Sequence, residues 1–333
     1  MKIAVIGAGS WGTTLANLLA SKGFPVTLWV YEEDLAGRME QRRENDLYLP
    51  GFTLSENLGF TSDLAQAVSA KDLLVLVPPS QVMRTVMLEA APHIATGTQL
   101  VAASKGIEND TLLTMSEVLG QILPPGKYGT PAFLSGPSFA REVAAGMPTA
   151  VVAAAADAEV AARVQDIFST ETFRVYSNDD VMGVELGGAL KNVIALAAGV
   201  SDGLGFGYNS RAALITRGLA EITRLGVRMG ADARTFAGLA GMGDLVLTCT
   251  GDLSRNRSVG IELGRGRSLE EILAGMKMVA EGVKTTLSTY QLACKLQVEV
   301  PIIEQMYHIL YEGKEARQAV TDLMLRELKP EGF

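Results

Sequence analysis

KIAVIGAGSWGTTLANLLASKGFPVTLWV, from Lys2 to Val30, is the stretch that decides the fold. A short apolar run is followed by the glycine pattern at 7–12, then by helical periodicity up to Lys22 and a second apolar run at 26–30. This order predicts strand, GxGxxG turn, helix and strand, the fingerprint of a dinucleotide-binding unit. The glycines permit a tight turn and a close backbone approach to a pyrophosphate, and the helix N-terminus favours the phosphates.

The same alternation continues along the first half of the chain. Further strands are predicted at 73–77, 99–103, 132–135, 149–154 and 173–176, with helical patterns between most of them. We therefore predict an α/β Rossmann domain, doubly wound around a mostly parallel sheet. After residue 180 only helix-period segments follow, which predicts an all-α domain. The predicted domains are 1–180, binding the dinucleotide, and 181–333, carrying the substrate and catalytic residues.

Composition limits the classes of function. Of the 333 residues 48% are hydrophobic and 20% charged, as in ordinary globular proteins, and the net charge is −8. With no long basic run, the sequence argues against a nucleic-acid partner and an anionic membrane surface. Two cysteines give no disulfide framework, and no Cys/His/carboxylate cluster has metal-ligand spacing, so we expect a cytosolic protein without a metal. The uncharged stretch 3–21 is broken by glycines, so we expect no signal peptide and no membrane span.

The residues that follow the second strand bear on the choice of coenzyme. An acid there accepts from the ribose 2′-hydroxyl of NAD, whereas an arginine accommodates the 2′-phosphate of NADP. Here Tyr31 and Glu32 occupy that turn, which favours NAD. The alternative is a solvated acidic turn that simply opens the next helix, so the preference between NAD and NADP stays open.

A buried lysine is the first candidate catalytic residue. From Val184 to Val200 the sequence is apolar or small except for Glu185, Lys191 and Asn192, and its periodicity predicts a buried helix. Burial disfavours an ammonium ion, which suits Lys191 to donate a proton to a carbonyl that is being reduced. The alternative is structural: the lysine stem crosses the helix while its head reaches water or a carboxylate.

Three further polar positions are candidates. Lys105 follows an apolar strand on a glycine turn, where the cation could meet a substrate oxygen or phosphate, and Asp244 lies on a glycine-flanked turn. The segment 254–257, Ser-Arg-Asn-Arg, places two guanidinium groups at a predicted helix start, an arrangement that suits phosphate oxygens. That segment could equally be a solvent-facing helix cap.

Together these motifs resemble those of the bacterial NAD(P)-dependent glycerol-3-phosphate dehydrogenases. The matching segments are GAGSWG at 7–12, SKG at 104–106, SGPSFAREV at 135–143, YSND at 176–179, ELGGALKNVIALAAGV from 185, GMGDLVLTC at 241–249 and SRNR at 254–257. The resemblance covers nearly the whole chain. It implies interconversion of sn-glycerol 3-phosphate and dihydroxyacetone phosphate with NAD or NADP, a homodimer formed through the helical domain, and a role in glycerophospholipid synthesis.

The resemblance also implies a set of site residues. Lys191 matches the family's proton donor and acceptor, with Asp244 and Lys105 as its catalytic partners. Matching substrate positions are Lys105, Gly136, Ser138, Lys191, Asn192, Asp244, Ser254, Arg255 and Asn256. Matching coenzyme positions are Ser10, Trp11, Lys105, Ala140, Arg255, Val279 and Glu281. To these the glycine motif adds Gly7, Gly9 and Gly12, and the turn after the second strand adds Tyr31 and Glu32. Many relatives carry histidine or arginine where this chain has Tyr31 and Glu32.

Two alternatives of different chemistry remain at this point. A related lysine-dependent reductase of the same architecture would act on a 3-hydroxyacid or 2-oxoacid, and would need a carboxylate site in place of the phosphate site. A non-catalytic dinucleotide sensor would require Lys105, Lys191 and Asp244 to be structural together.

Overall fold

The computed structural model describes residues 1–124, 126–276, 280–328 and 330–331. The strands are β1 Ile3–Ile6, β2 Val26–Trp29, β3 Leu58–Thr61, β4 Leu73–Leu76, β5 Gln99–Ala102, β6 Ala132–Ser135, β7 Thr149–Ala154 and β8 Phe173–Asn178. The helices among them are α1 Ser10–Ser21, α2 Glu33–Arg42, α3 Leu64–Val68, α4 Met83–Ala90, α5 Met115–Ile122, α6 Ala140–Ala144 and α7 Ala158–Phe168. They are followed by α8 Val181–Gly203, α9 Tyr208–Arg228, α10 Asp244–Thr250, α11 Arg255–Gly264, α12 Leu269–Ala274, α13 Glu281–Leu296, α14 Pro301–Tyr311 and α15 Ala316–Met324.

The eight strands form one sheet in the order β3-β2-β1-β4-β5-β6-β7-β8. Every neighbouring pair is parallel except β6 and β7, which are antiparallel. Strand order reverses at β1, since β2 lies on one side of it and β4 on the other. A doubly wound sheet binds its ligand beyond the carboxyl ends of the strands at such a reversal. The predicted Rossmann fold class is confirmed, and the glycine loop follows β1 at the reversal.

The chain divides into two compact units, 1–105 with 115–181, and 106–114 with 182–333. The short segment 106–114 therefore belongs with the helices, although the sequence-based division at 180 did not separate it from the first half. Its Ile107 side chain is fully buried in the core of the helical unit. The Ser288 hydroxyl of α13 lies 3.4 Å from the Ile107 carbonyl oxygen and 3.2 Å from that of Thr285.

Apolar burial explains the layers of the first unit. β1 and β4 are buried at every position, as expected for central strands covered on both faces. On α1 the buried residues Leu15 and Leu19 belong to the same core as these strands. Burying each such leucine contributes about 2 kcal/mol of hydrophobic free energy.

Helix α8 forms the centre of the second unit. Its residues are buried almost without interruption from Gly183 to Ser201. By length and composition the helix could cross a membrane, but 83% of its most apolar window is buried inside the protein. That burial is the pattern of a core helix, around which the other helices pack.

Among the helix-period segments after residue 180, the one at 232–241 does not form an α-helix. A 3₁₀ turn at Ala233–Ala237 is followed by a π turn at Leu239–Gly243, which leads directly into α10. Gly238 between them has extended backbone, which ends the first turn. A side chain at Gly241 would lie 2.2 Å from the Phe236 carbonyl oxygen, so the glycine permits this tight reversal.

Candidate active site

The glycine loop has the geometry of a phosphate cradle. Gly7 has φ +112°, a conformation that favours glycine, and a Cβ atom there would lie 2.8 Å from the Val77 carbonyl oxygen. A Cβ atom at Gly12 would lie 1.9 Å from the Gly7 carbonyl oxygen, so only glycine lets α1 pack this closely. Gly9, in contrast, faces open space, since no described residue comes within 4 Å of where its Cβ atom would lie. The loop backbone is therefore accessible at Gly9, where a pyrophosphate approaches in this class of fold.

The start of α1 also fits a bound dinucleotide. Gly9 is the N-cap and contributes no side-chain hydrogen bond, so the first turn keeps N–H groups for an anion. The indole Nε1 of Trp11 is buried without a hydrogen-bond partner among the described residues. The Thr14 hydroxyl lies 2.8 Å from the Ser10 carbonyl oxygen and 3.2 Å from that of Ala140, which places α1 beside α6. Ser10, Trp11 and Ala140 are thus grouped beside the loop.

The turn after β2 holds the predicted ribose contacts. Tyr31 is 79% exposed and packs edge-on against Trp29, with ring centroids 6.1 Å apart. Glu32 is half-buried at the N-cap position of α2, where its side chain makes no capping bond, and its carboxylate accepts from the Tyr48 hydroxyl at 2.6 Å. The Glu32 side chain is therefore held in place, unlike a solvated turn residue.

Lys105, Gly136 and Ser138 come together in the first unit. The Lys105 ammonium donates to the Gly136 carbonyl at 3.1 Å, and the Ser138 hydroxyl donates to the same oxygen at 3.0 Å. Gly136 has φ +132°, and a side chain there would lie 3.0 Å from the Val151 Cα atom. Gly136 thus presents its carbonyl to both side chains from a conformation that a larger residue could not adopt.

The buried lysine of the second unit has a carboxylate partner. Lys191 is 8% and Asp244 1% exposed, and the lysine Nζ lies 2.7 Å from the Asp244 Oδ1. The ammonium also donates to the Thr248 hydroxyl at 2.7 Å, and that hydroxyl donates to the Asp244 carbonyl oxygen at 2.6 Å. A buried ion pair needs such additional hydrogen bonds to offset desolvation. This arrangement orients a proton-carrying group inside a water-poor interior.

Thr248 is the residue that the motif analysis missed. It is 3% exposed and lies four residues after Asp244 on α10, so both side chains point the same way. The sequence signal for Thr248 was its spacing of four residues from Asp244 within the segment GDLVLTC. Cys249 beside it is fully buried, and burial raises the pKa of its thiol to about 12, so it stays protonated and unreactive.

The SRNR segment begins α11, as predicted. Ser254 caps the helix by accepting from the Arg257 backbone N–H at 3.2 Å, and it is buried rather than solvent-facing. Arg255 is exposed, while Arg257 pairs with Asp202 at 2.8 Å. Asp202 also pairs with Arg211 at 2.6 Å. The two arginines of the segment therefore differ: Arg255 is available at the surface, and Arg257 is part of an ion-pair network.

Asn192 and Asn256 form one hydrogen-bonded chain with Gly282. The Asn256 amide donates to the Asn192 Oδ1 at 2.9 Å, and the Asn256 Oδ1 accepts from the Gly282 N–H at 2.9 Å. A side chain at Gly282 would lie 2.8 Å from the Asn256 Oδ1. This chain fixes α8, α11 and α13 to one another and places Glu281, the first residue of α13, next to it. Val279, the other coenzyme position predicted here, lies outside the described residues.

The predicted site residues thus fall into separate clusters in each unit. In the first unit these are the glycine loop, the Tyr31–Glu32 turn, and the cluster around Lys105. In the second they are the Lys191–Asp244 pair and the Asn192–Asn256 chain. Among the described residues, no group of three or more His, Cys, Asp or Glu side chains is arranged to hold a metal ion.

Comparison with known proteins assigns the chain to a family. The family description "NAD-dependent glycerol-3-phosphate dehydrogenase N-terminus" matches residues 2–161, and the corresponding C-terminus description matches residues 180–321. The chain belongs to the NAD-dependent glycerol-3-phosphate dehydrogenase family. The resemblance drawn from the motifs is confirmed.

Three relatives match over 99% of their own length. The glycerol-3-phosphate dehydrogenase [NAD(P)+] of Syntrophotalea carbinolica is 67% identical over 331 residues, covering 99% of both chains. The solved glycerol-3-phosphate dehydrogenase of Coxiella burnetii is 41% identical with a TM-score of 0.94, covering 98% of this chain and 99% of that one. The yeast enzyme from Saccharomyces cerevisiae is 29% identical with a TM-score of 0.81, over 98% and 99%. The chain is an oxidoreductase of this dehydrogenase family.

Proposed function

We propose that this chain interconverts sn-glycerol 3-phosphate and dihydroxyacetone phosphate by hydride transfer with NAD or NADP, using Lys191 as the acid/base. The observation that carries the proposal is the buried Lys191–Asp244 pair, with 2.7 Å between Nζ and Oδ1. An ammonium held in this way suits proton transfer to an oxygen that gains negative charge. Family membership supplies the substrate.

The first unit would hold the coenzyme. The open backbone at Gly9 and the first turn of α1 fit the pyrophosphate, and the buried Trp11 Nε1, which has no partner among the described residues, is a further donor beside them. Glu32 would meet the adenine ribose, and Glu281 lies at the start of α13 in the second unit. When bound, the nicotinamide ring supplies or accepts the hydride.

Lys191 would then donate or accept the proton. During ketone reduction its ammonium donates a proton to the C2 oxygen, and during alcohol oxidation neutral Lys191 removes the hydroxyl proton. Asp244 and Thr248 hold the Nζ atom at 2.7 Å each, so the group is oriented before substrate arrives. Lys105 is proposed as a second cation for the substrate.

The start of α11 would bind the phosphate group. Arg255 is exposed, and one amide hydrogen of Asn256 remains after the bond to Asn192. Buried Ser254 caps the start of this helix by accepting from the Arg257 backbone N–H. The phosphate does not react, but the free energy of binding it here would help to position the carbonyl group for reduction.

A substrate comparison tests the proposal. Initial rates of coenzyme oxidation are measured with dihydroxyacetone phosphate and with a 2-oxoacid of matched size, each with NADH and with NADPH. Turnover with the phosphorylated ketone is expected. Turnover with the oxoacid alone would favour the carboxylate-substrate reductase, and coenzyme binding without turnover of either substrate would favour the sensor.

We further propose that the protein is a cytoplasmic homodimer that supplies glycerol 3-phosphate for glycerophospholipid synthesis. The helical unit exposes apolar side chains at and beyond the end of α15, with Met324 76%, Leu325 79% and Leu328 95% exposed. Such exposed apolar groups support an interface between copies. Analytical ultracentrifugation at micromolar concentration should give the mass of a dimer, and a monomer alone would contradict this assembly.

A further inference from the structure

Tyr48 holds the acid at the end of β2. Its hydroxyl donates to the Glu32 Oε1 at 2.6 Å, across sixteen residues of sequence. Burial and the neighbouring Glu32 carboxylate raise the pKa of Tyr48 to about 12, so the phenol keeps its proton and acts as a donor. One Glu32 carboxylate oxygen is thereby held in place as a hydrogen-bond acceptor.

Asn45 connects Tyr48 to the glycine loop through hydrogen bonds. The Asn45 side chain is fully buried and donates at 2.8 Å both to the Ala8 carbonyl and to the Thr13 hydroxyl of α1. Its Oδ1 accepts from the Tyr48 backbone N–H at 2.9 Å. The position of Tyr48 is therefore set relative to the phosphate cradle, although 37 residues separate Ala8 from Asn45.

Asp46, which lies between Asn45 and Tyr48 in the sequence, forms an ion pair with Arg38. The Arg38 Nε lies 3.0 Å from the Asp46 Oδ2, and the Arg38 Nη1 lies 2.7 Å from the Asp34 Oδ2. The Arg38 side chain is 33% exposed, and its guanidinium holds the pKa of Asp46 below its usual value. Arg42 also reaches Asp46, at 3.3 Å. A 2′-phosphate at this edge would have to displace a carboxylate before it could reach Arg38.

We infer that residues 45–49 form a coenzyme-specificity loop, in which Tyr48 holds Glu32 for an unphosphorylated adenine ribose while Asp46 keeps Arg38 from a 2′-phosphate. The chain therefore binds NADH in preference to NADPH. Glu32 accepts from the ribose 2′-hydroxyl and repels a 2′-phosphate. The inference rests on the proposed function only in that a nicotinamide dinucleotide binds the glycine loop.

Titration calorimetry of NADH and NADPH, without substrate, tests the inference independently of turnover. The wild-type protein should bind NADH more tightly than NADPH. Tyr48→Phe should reduce that ratio by about fivefold, since it removes one hydrogen bond to a charged group. The double variant Asp34→Ala/Asp46→Ala should tighten NADPH binding by about tenfold and leave NADH nearly unchanged, because it removes both carboxylates that hold Arg38.

Tyr128→Phe is the matched control. The Tyr128 hydroxyl donates to the Ala91 carbonyl at 2.9 Å, and the residue precedes β6, away from the carboxyl ends of the strands. This variant loses a comparable hydrogen bond but should keep the wild-type ratio. Equal or tighter binding of NADPH by the wild type, or an unchanged ratio in Tyr48→Phe, would overturn the inference. Failure of the proposed reaction would show up separately, as bound coenzyme without turnover.

Discussion

At the scale of single residues, Thr248 bridges the Lys191 ammonium and the backbone carbonyl of Asp244. One hydroxyl accepts from the lysine and donates to the aspartate backbone, and the threonine is buried in the same interior. A side chain in this position constrains where the Nζ atom points. Its removal should therefore affect the chemical step more than coenzyme binding.

Thr248→Val is expected to lower kcat about tenfold, because the variant keeps the side-chain shape but loses a hydrogen bond to a charged group. Steady-state kinetics with dihydroxyacetone phosphate measures this change. Thr248→Ser restores the hydroxyl and should recover most of the activity. An unchanged kcat in Thr248→Val would mean that Asp244 alone positions the lysine.

Glu221 is a buried titratable residue that the proposed mechanism does not use. It is 2% exposed on α9, and its carboxylate accepts from the backbone N–H groups of Ile302 at 2.8 Å and Ile303 at 3.2 Å. It thus caps α14, whose own N-cap residue provides no side-chain bond. Burial raises the pKa of Glu221 to about 7, despite these two bonds and the nearby Arg224 and Arg326.

This raised pKa predicts a pH dependence of stability. Between its ordinary pKa, near 4.5, and about 7 the folded state binds more protons than the unfolded state. The contribution of Glu221 to the free energy of unfolding therefore falls as pH rises through that window, by about 2–3 kcal/mol from pH ~5 to pH ~8. Urea unfolding of the wild type and of Glu221→Gln, followed by far-ultraviolet circular dichroism, measures the difference. Parallel pH profiles for the two proteins would contradict it.

At the scale of elements, α8 and α11 touch through their backbones. A Cβ atom at Gly199 would lie 2.1 Å from the Arg257 carbonyl oxygen, and one at Gly260 would lie 2.1 Å from the Leu196 carbonyl oxygen. Gly203 and Gly264, one turn further on, meet the facing backbone in the same way. This close crossing sets the distance between Asn192 and Asn256, and hence the position of the proposed phosphate site.

Gly199→Ala should destabilise the protein by about 2 kcal/mol or more and raise KM for the phosphorylated substrate, since the helices must separate. Thermal unfolding and steady-state kinetics measure the two effects. Gly120→Ala on α5 is the control, because a Cβ atom there would meet none of the described residues within 4 Å. Because alanine has a higher helix propensity than glycine, that variant should be slightly more stable than the wild type. Equal stability of Gly199→Ala and the wild type would disprove the backbone contact.

Several elements could be predicted from the sequence because their pattern is local. The strand, glycine loop and helix at 2–30 and the apolar helix around Lys191 are examples. β3 was missed because Leu58–Thr61 is a four-residue edge strand that contains a glycine. The segment 106–114 also belongs to the helical unit. This was missed because its buried residue Ile107 is not part of a periodic apolar pattern in the sequence.

Contacts between distant parts of the chain could not be predicted in this way. Lys191 and Asp244 were both identified, but the hydrogen bond through Thr248 depends on how α10 packs. The bonds from Asn45 to the glycine loop likewise join segments that only the folded chain brings together. Local pattern identifies chemical groups, and tertiary packing decides which of them meet.

At the scale of the whole molecule, the proposed tasks are divided between the units. The first provides the dinucleotide cradle and the Glu32 carboxylate, and the second provides the buried Lys191–Asp244 pair. Each unit has its own hydrophobic core. Coenzyme binding and proton transfer should therefore be separable by mutation.

The variant Lys191→Ala tests both this division and the role of Lys191 as the acid/base. Turnover of dihydroxyacetone phosphate at saturating coenzyme is compared between this variant and the wild type, with coenzyme affinity measured on the same samples. We expect a fall in kcat of roughly 10²–10⁴-fold, the usual contribution of a general acid, with coenzyme affinity little changed. Near-normal turnover by a folded, coenzyme-binding Lys191→Ala protein would contradict the assignment of Lys191 as the acid/base.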